Sequence, residues 1–110
     1  MHPVKWLVYT FLVIASLALP SLASAQTADI VGRVTDNSGG VLPGATVTVE
    51  NIGTKDVRTA VTSDTGDYVF TLLPIGTYTL KIDLQGFSAQ TSSVVLTSGD
   101  RTRVDGKLNV

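Results

Sequence analysis

The stretch Thr77-Tyr78-Thr79-Leu80-Lys81-Ile82-Asp83-Leu84 alternates without a break, with Tyr78, Leu80, Ile82 and Leu84 apolar and Thr77, Thr79, Lys81 and Asp83 polar. A period of two is the side-chain period of a strand, whose successive residues face opposite sides of a sheet. No stretch between residues 26 and 110 holds a helical period long enough to compete. The octet therefore predicts a strand with one wet and one buried face. Upstream, Asp67–Leu72 repeats the pattern, with Tyr68, Phe70 and Leu72 on one face. Leu73-Pro74-Ile75-Gly76 lies between the two as a proline turn.

The same rhythm extends in both directions. Asp64-Thr65-Gly66 reads as a short turn, with Asp64 able to accept backbone hydrogen bonds and Gly66 able to take the left-handed position. Asp56–Thr62 is the weakest strand. Its Val57 and Val61 share one face and Ala60 the other, so parity is ambiguous and an edge position is expected. Ala45–Asn51 directs Ala45, Val47 and Val49 inward. Before it, Leu42-Pro43-Gly44-Ala45 fits a type II turn: Pro43 fixes φ at the second position and Gly44 accepts φ > 0 at the third. Ile30–Asp36 is the first strand, with Ile30, Gly32 and Val34 on one face, followed by the loop Asp36–Gly40. Downstream, Ser88–Leu96 turns Val94 and Leu96 inward, Ser98-Gly99-Asp100 makes a turn, and Arg101–Val110 supplies the last strand. About seven short strands with turns every eight to twelve residues is the rhythm of an antiparallel β-sandwich.

The N-terminus has a different character. Lys5 is the only charged residue among the first 25, and it precedes the apolar run Trp6–Leu19. Pro20 breaks any helix there, and Ala23-Ser24-Ala25 is the small-x-small pattern that signal peptidase admits. Residues 1–25 therefore read as a helical signal peptide and 26–110 as one domain. The competing reading, a membrane anchor, is short of the roughly 20 apolar residues that a bilayer requires. Removal of the leader takes the only His, Trp and Met with it: His2, Trp6 and Met1. The remaining 110 − 25 = 85 residues hold 8 − 1 = 7 Lys and Arg against 9 Asp and Glu, and no Cys. A small exported domain without disulfides depends on its core alone, and the charge balance offers no basic surface for nucleic acid.

The turn residues carry a family resemblance. Gly32-x-Val34-x-Asp36 followed by Gly40-x-Leu42-Pro43-Gly44-Ala45-x-Val47 resembles the opening of the carboxypeptidase regulatory-like domain. Thr62-x-Asp64-x-Gly66-x-Tyr68-x-Phe70, then Leu73-Pro74-x-Gly76-x-Tyr78-x-Leu80 and Gly86-Phe87, resembles its second half. The resemblance covers Ala28–Val110. It implies a transthyretin-like seven-stranded sandwich, grouped with carbohydrate-binding-like folds. It also implies an accessory rather than peptidase role, and, in bacteria, a place behind a signal peptide at the N-terminus of a TonB-dependent outer-membrane receptor.

Reactive chemistry is scarce. A zinc peptidase needs His and Glu ligands around an open position, and residues 26–110 contain no His and a single Glu, Glu50. Triads built on His or Cys fail on the same ground. Asp36, Asp64, Asp67 and Asp100 stand at or beside turns. A calcium site would need two of these loops to converge, and the adopted reading is that they form the turns. Sugar platforms present exposed aromatic rings, yet Tyr68, Phe70 and Tyr78 fall on apolar faces and Phe87 closes one end of the core. Arg33, Arg58, Arg101 and Arg103 read as solvated positions.

The expectation is a non-enzymatic exported interaction module of the periplasm or outer membrane, with no catalytic, cofactor or metal residues. Its structural residues are Pro43, Gly44, Asp64, Gly66, Tyr68, Phe70, Pro74, Gly76, Tyr78 and Phe87. The partner class is protein, either envelope components or the rest of a longer receptor. The alternation running to Val110 hints at a fragment of such a receptor. The alternative is a stand-alone secreted domain that binds carbohydrate or protein.

Overall fold

A computed structural model describes residues 26–110; the leader assigned to residues 1–25 lies outside the described residues. The strands are β1 (Thr27–Asp36), β2 (Thr46–Asn51), β3 (Val57–Val61), β4 (Asp67–Pro74), β5 (Gly76–Asp83), β6 (Gln90–Leu96), β7 (Arg101–Arg103) and β8 (Gly106–Leu108), with no helix among the described residues. One sheet runs β4-β1-β7, with β8 also on β1; the other runs β3-β2-β5-β6. The two pack as a β-sandwich. Its core combines Ile30, Val34, Leu73 and Leu108 of the first sheet with Val47, Val49, Leu80, Ile82 and Leu96 of the second, all fully buried.

The alternation that predicts β5 holds: Tyr78, Leu80 and Ile82 are buried, and Leu84 packs half-buried just past the strand end. In β1 the buried set Ala28, Ile30, Gly32 and Val34 agrees with the predicted face. In β2, Val47 and Val49 are inward as expected, and Asn51 continues the series as a buried polar residue.

Three features depart from the simple pattern. First, Leu72 does not share the face of Tyr68 and Phe70. The β1–β4 register shifts between Ala28 and Ile30. Leu72 takes φ 55° and is exposed, and Leu73 becomes the core residue. An extra residue in one strand of a pair reverses the parity of everything beyond it. The Leu72 N–H is satisfied by the Asp29 Oδ1 at 3.1 Å, so the bulge leaves no donor stranded.

Second, Leu73-Pro74-Ile75-Gly76 is not a hairpin within one sheet. β4 belongs to the first sheet and β5 to the second, so this segment carries the chain across the sandwich. Proline suits the crossing because ladder pairing ends there and no N–H is required.

Third, the last strand is divided, and it is parallel to β1. Asp29↔Arg101 in β7 and Val34↔Gly106 in β8 share one register. At the break the Val104 N–H still donates to the Val31 carbonyl at 2.8 Å, while the Arg33 N–H turns to the Asp105 Oδ1 at 2.9 Å. A side-chain carboxylate thus replaces one backbone acceptor, and the ladder resumes. Gly106 and Leu108 keep the inward parity, and Val110 is exposed.

Candidate functional site

The turns Leu42–Ala45 and Asp64–Gly66, from the two halves of the sequence, meet at one end of the sandwich. The Leu42–Ala45 turn has Gly44 at φ 77° and is held by Thr62. The Thr62 hydroxyl donates to the Leu42 carbonyl at 2.6 Å and accepts from the Ala45 N–H at 2.8 Å. The Thr62 N–H and carbonyl bond Ala45 and Gly44 as well. Four backbone groups therefore depend on one buried residue, because a short β-branched hydroxyl side chain reaches both strands without leaving a void. The Gly66 carbonyl accepts from Val34 at 2.9 Å. Gly66 has φ 78°, and a Cβ there would stand 2.8 Å from the Val34 carbonyl oxygen. Both conformation and space exclude a side chain. The turn's side-chain hydrogen bonds come from Ser63, Thr65 and Asp67 rather than from Asp64.

At the other turn, the Tyr78 hydroxyl donates to the Pro74 carbonyl at 2.7 Å, anchoring the sheet-to-sheet crossing that ends at Gly76. Asn51 packs against Gly76 and caps its own hairpin, its Oδ1 accepting from Gly53 and Thr54 at 2.9 and 3.0 Å. Tyr68 and Phe70 are buried and meet edge to face with ring centroids 6.0 Å apart. The Tyr68 hydroxyl donates to the Val104 carbonyl. Burial, with the Asp105 carboxylate as the next cause, pushes this phenol up to about 12. Phe87 is half-buried against the core.

The carboxylates are engaged locally. Asp36 accepts from the Ser38 hydroxyl and N–H and the Gly40 N–H, at 2.7 to 2.9 Å. Those bonds, the hydroxyl first, hold it below the usual carboxylate range. The Arg33 guanidinium does the same for Asp67 at 2.9 Å, aided by the Thr65 hydroxyl. The Thr97 hydroxyl does so for Asp100. At Asp105 burial alone would raise the pKa, but the Arg33 N–H and the Arg103 guanidinium outweigh it and the net shift is downward. Among the described residues no three His, Cys, Asp or Glu side chains gather as metal ligands do. A non-haem iron site of the His-and-carboxylate type would need imidazoles, and residues 26–110 have none.

What remains for recognition lies along one side of the sandwich, where the edges of the two sheets run together. A shallow depression of about 370 Å³ there is lined by Ala60 and Val61 of β3, Ser63, and Asp67, Tyr68 and Val69 of β4. Further along the same two strands the Arg58 guanidinium donates to the Thr71 carbonyl at 2.9 Å. Val57, Val61, Val69 and Leu72 are the exposed apolar residues of this flank. The edge position of β3 agrees with expectation, and its parity is now fixed: Val57 and Val61 face solvent while Ala60 is partly buried.

The fold is a two-sheet sandwich whose turn and core residues account for most of its sequence pattern. The chain matches the carboxypeptidase regulatory-like domain over residues 29–109, and it belongs to that family. No curated protein matches it in sequence. Among solved structures it is similar to the Bacillus anthracis TIE protein (22% identity, TM-score 0.66), over 76% of this chain and 16% of that one. A chlorocatechol 1,2-dioxygenase from Pseudomonas putida is similar at 13% identity and TM-score 0.65, over 82% of this chain and 63% of that one. A putative carbohydrate binding protein from Bacteroides uniformis is similar at 20% identity and TM-score 0.60, over 76% and 41%. At these identities the likeness is one of fold. The chain spans less than two thirds of the length of each of these three structures.

Proposed function

We propose that this domain is an exported, non-enzymatic module that acts through protein contacts in the bacterial envelope, as the N-terminal extension of a TonB-dependent outer-membrane receptor. The supporting observation is an adjacency. The family match begins at residue 29, directly behind a leader pattern that ends at Ala25. The reading frame beyond Val110 tests the receptor assignment: plug-and-barrel coding sequence is expected, and a stop codon would overturn it. Mass spectrometry of the exported protein tests the rest, with Gln26 expected at the N-terminus.

A second reading, a stand-alone carbohydrate-binding domain, draws on the likeness to the Bacteroides uniformis protein. Against it, Tyr68, Phe70 and Tyr78 are buried and Phe87 is half-buried, so among the described residues no ring stands free as a sugar platform. A glycan array on the native domain and on Tyr78→Ala distinguishes the two readings. A folded variant that loses a glycan would establish the second.

A further inference from the structure

Sheet edges offer unpaired N–H and C=O groups to any extended chain, and proteins ordinarily blunt them. Two edges of this sandwich are blunted along their length and a third at its start. At β4 the Arg58 guanidinium occupies the Thr71 carbonyl, the 63–67 turn covers Asp67, and the Leu72 bulge ends regular pairing. At β6 the C-terminal segment meets only the start of the strand, where the Ser88 N–H donates to the Asn109 carbonyl and the Lys107 N–H to the Gln90 side chain; beyond it the outward positions are Thr91, Ser93 and Val95, two of them small and polar. β7 and β8 are three residues each, with Asp105 bent in between.

β3 carries none of these devices. It is five residues long, Val57-Arg58-Thr59-Ala60-Val61, with no proline and no bulge. Asn51 bonds Asp56 and Thr62 bonds Ala45. With the period of two, the β2 ladder therefore uses Arg58 and Ala60 and leaves the backbone groups of Val57, Thr59 and Val61 aimed outward. Val57 and Val61 are also 54% and 61% exposed.

We propose that β3 is a self-association edge, pairing antiparallel with β3 of a second copy about a two-fold axis at Thr59. The strand is complementary to itself in that register. Val57 meets the partner's Val61 and Thr59 meets its own equivalent, each a bonded pair exchanging two hydrogen bonds, about six in all. Arg58 falls opposite Ala60, so no like charges face each other; like charges directly opposite would destabilise the pair. The sheets would join as one continuous eight-stranded sheet. A five-residue seam buries less than the roughly 800 Å² per partner of a standard interface, so the dimer is expected to be weak and concentration-dependent. The inference does not rest on the receptor assignment.

Sedimentation velocity on the exported protein over a wide concentration range tests it. Reversible dimerisation is expected. Thr59→Pro removes an outward N–H while sparing the β2 ladder, and should give a monomer with an unchanged circular dichroism spectrum. Val57→Lys with Val61→Lys should weaken the dimer about tenfold or more by opposing like charges, whereas Val57→Lys with Val61→Glu should restore it. A monomer at the highest soluble concentration overturns the proposal. So does a dimer indifferent to both the proline and the paired lysines, or an edge that instead takes up an extended segment of a different protein.

Discussion

Tyr68 and Val104 are bonded to each other across β1: the tyrosine leaves β4, passes over Gly32, and donates its hydroxyl to the Val104 carbonyl on the far side. A Cβ at Gly32 would stand 2.7 Å from the tyrosine ring and collide with the Val104 carbonyl oxygen. The glycine is there because the ring and the carbonyl occupy the space of its side chain. Gly32→Ala is expected to destabilise the domain by at least about 2 kcal/mol, in the range of core overpacking. Urea denaturation measures this, and an unchanged midpoint would contradict the packing described.

The same tyrosine gives the fold an alkaline limit. Its phenol is raised to about 12 from an unfolded value near 10, so the fold favours the protonated form. That contribution is complete below pH ~10 and is lost as pH rises toward 12. Stability measured from pH 8 to 12 should fall more steeply in the native protein than in Tyr68→Phe. Parallel curves would argue against the shift.

Leu72 and Leu73 should behave as opposites. Leu73→Ala removes a fully buried side chain and should cost about 2–5 kcal/mol, while Leu72→Ala at an exposed site should stay within about 0.5 kcal/mol. Leu72→Gly should be neutral or stabilising by up to about 1 kcal/mol, because it relieves a left-handed backbone. Thermal melts of the three variants check the bulge; equal losses at both leucines would disprove it.

Thr62→Val keeps the shape and removes the hydroxyl, leaving the buried Leu42 carbonyl and Ala45 N–H without that partner. A loss of about 2–4 kcal/mol is expected from two unmet groups. Thr62→Ser should retain most of the stability. Chemical denaturation of the pair checks this, and a tolerated valine would mean that water or a shifted backbone satisfies the turn.

Alternation and turn residues made the two-layer architecture legible, since each depends on neighbours in the chain. Tyr78, Leu80 and Ile82 needed no other information. Leu72 and Leu73 did, because apolar neighbours are compatible with either parity and only the shifted partner strand chooses between them. Thr62 and Asn51 looked like ordinary polar residues; Thr62 is buried by a turn 20 residues away. Gly32 did carry a signal, since a glycine inside a strand marks a close approach, but the approaching groups come from Tyr68 and Val104. The direction of the last strand was invisible because alternation is the same read either way. The open edge of β3 was foreseen from its ambiguous parity.

The parallel pairing of β1 with β7 and β8 also governs when this domain can exist. The first strand's partner on that side is about 70 positions further along the chain, as in the Arg33–Asp105 bond. Closing so long a loop precedes any reward from the contact, and topologies rich in such pairings fold in milliseconds to seconds rather than microseconds. At roughly 5–20 residues per second of synthesis, β1 waits several seconds for β8 to be made. A chain emerging N-terminus first therefore has an unfinished first sheet, with one side of β1 unpaired, until its last strands appear.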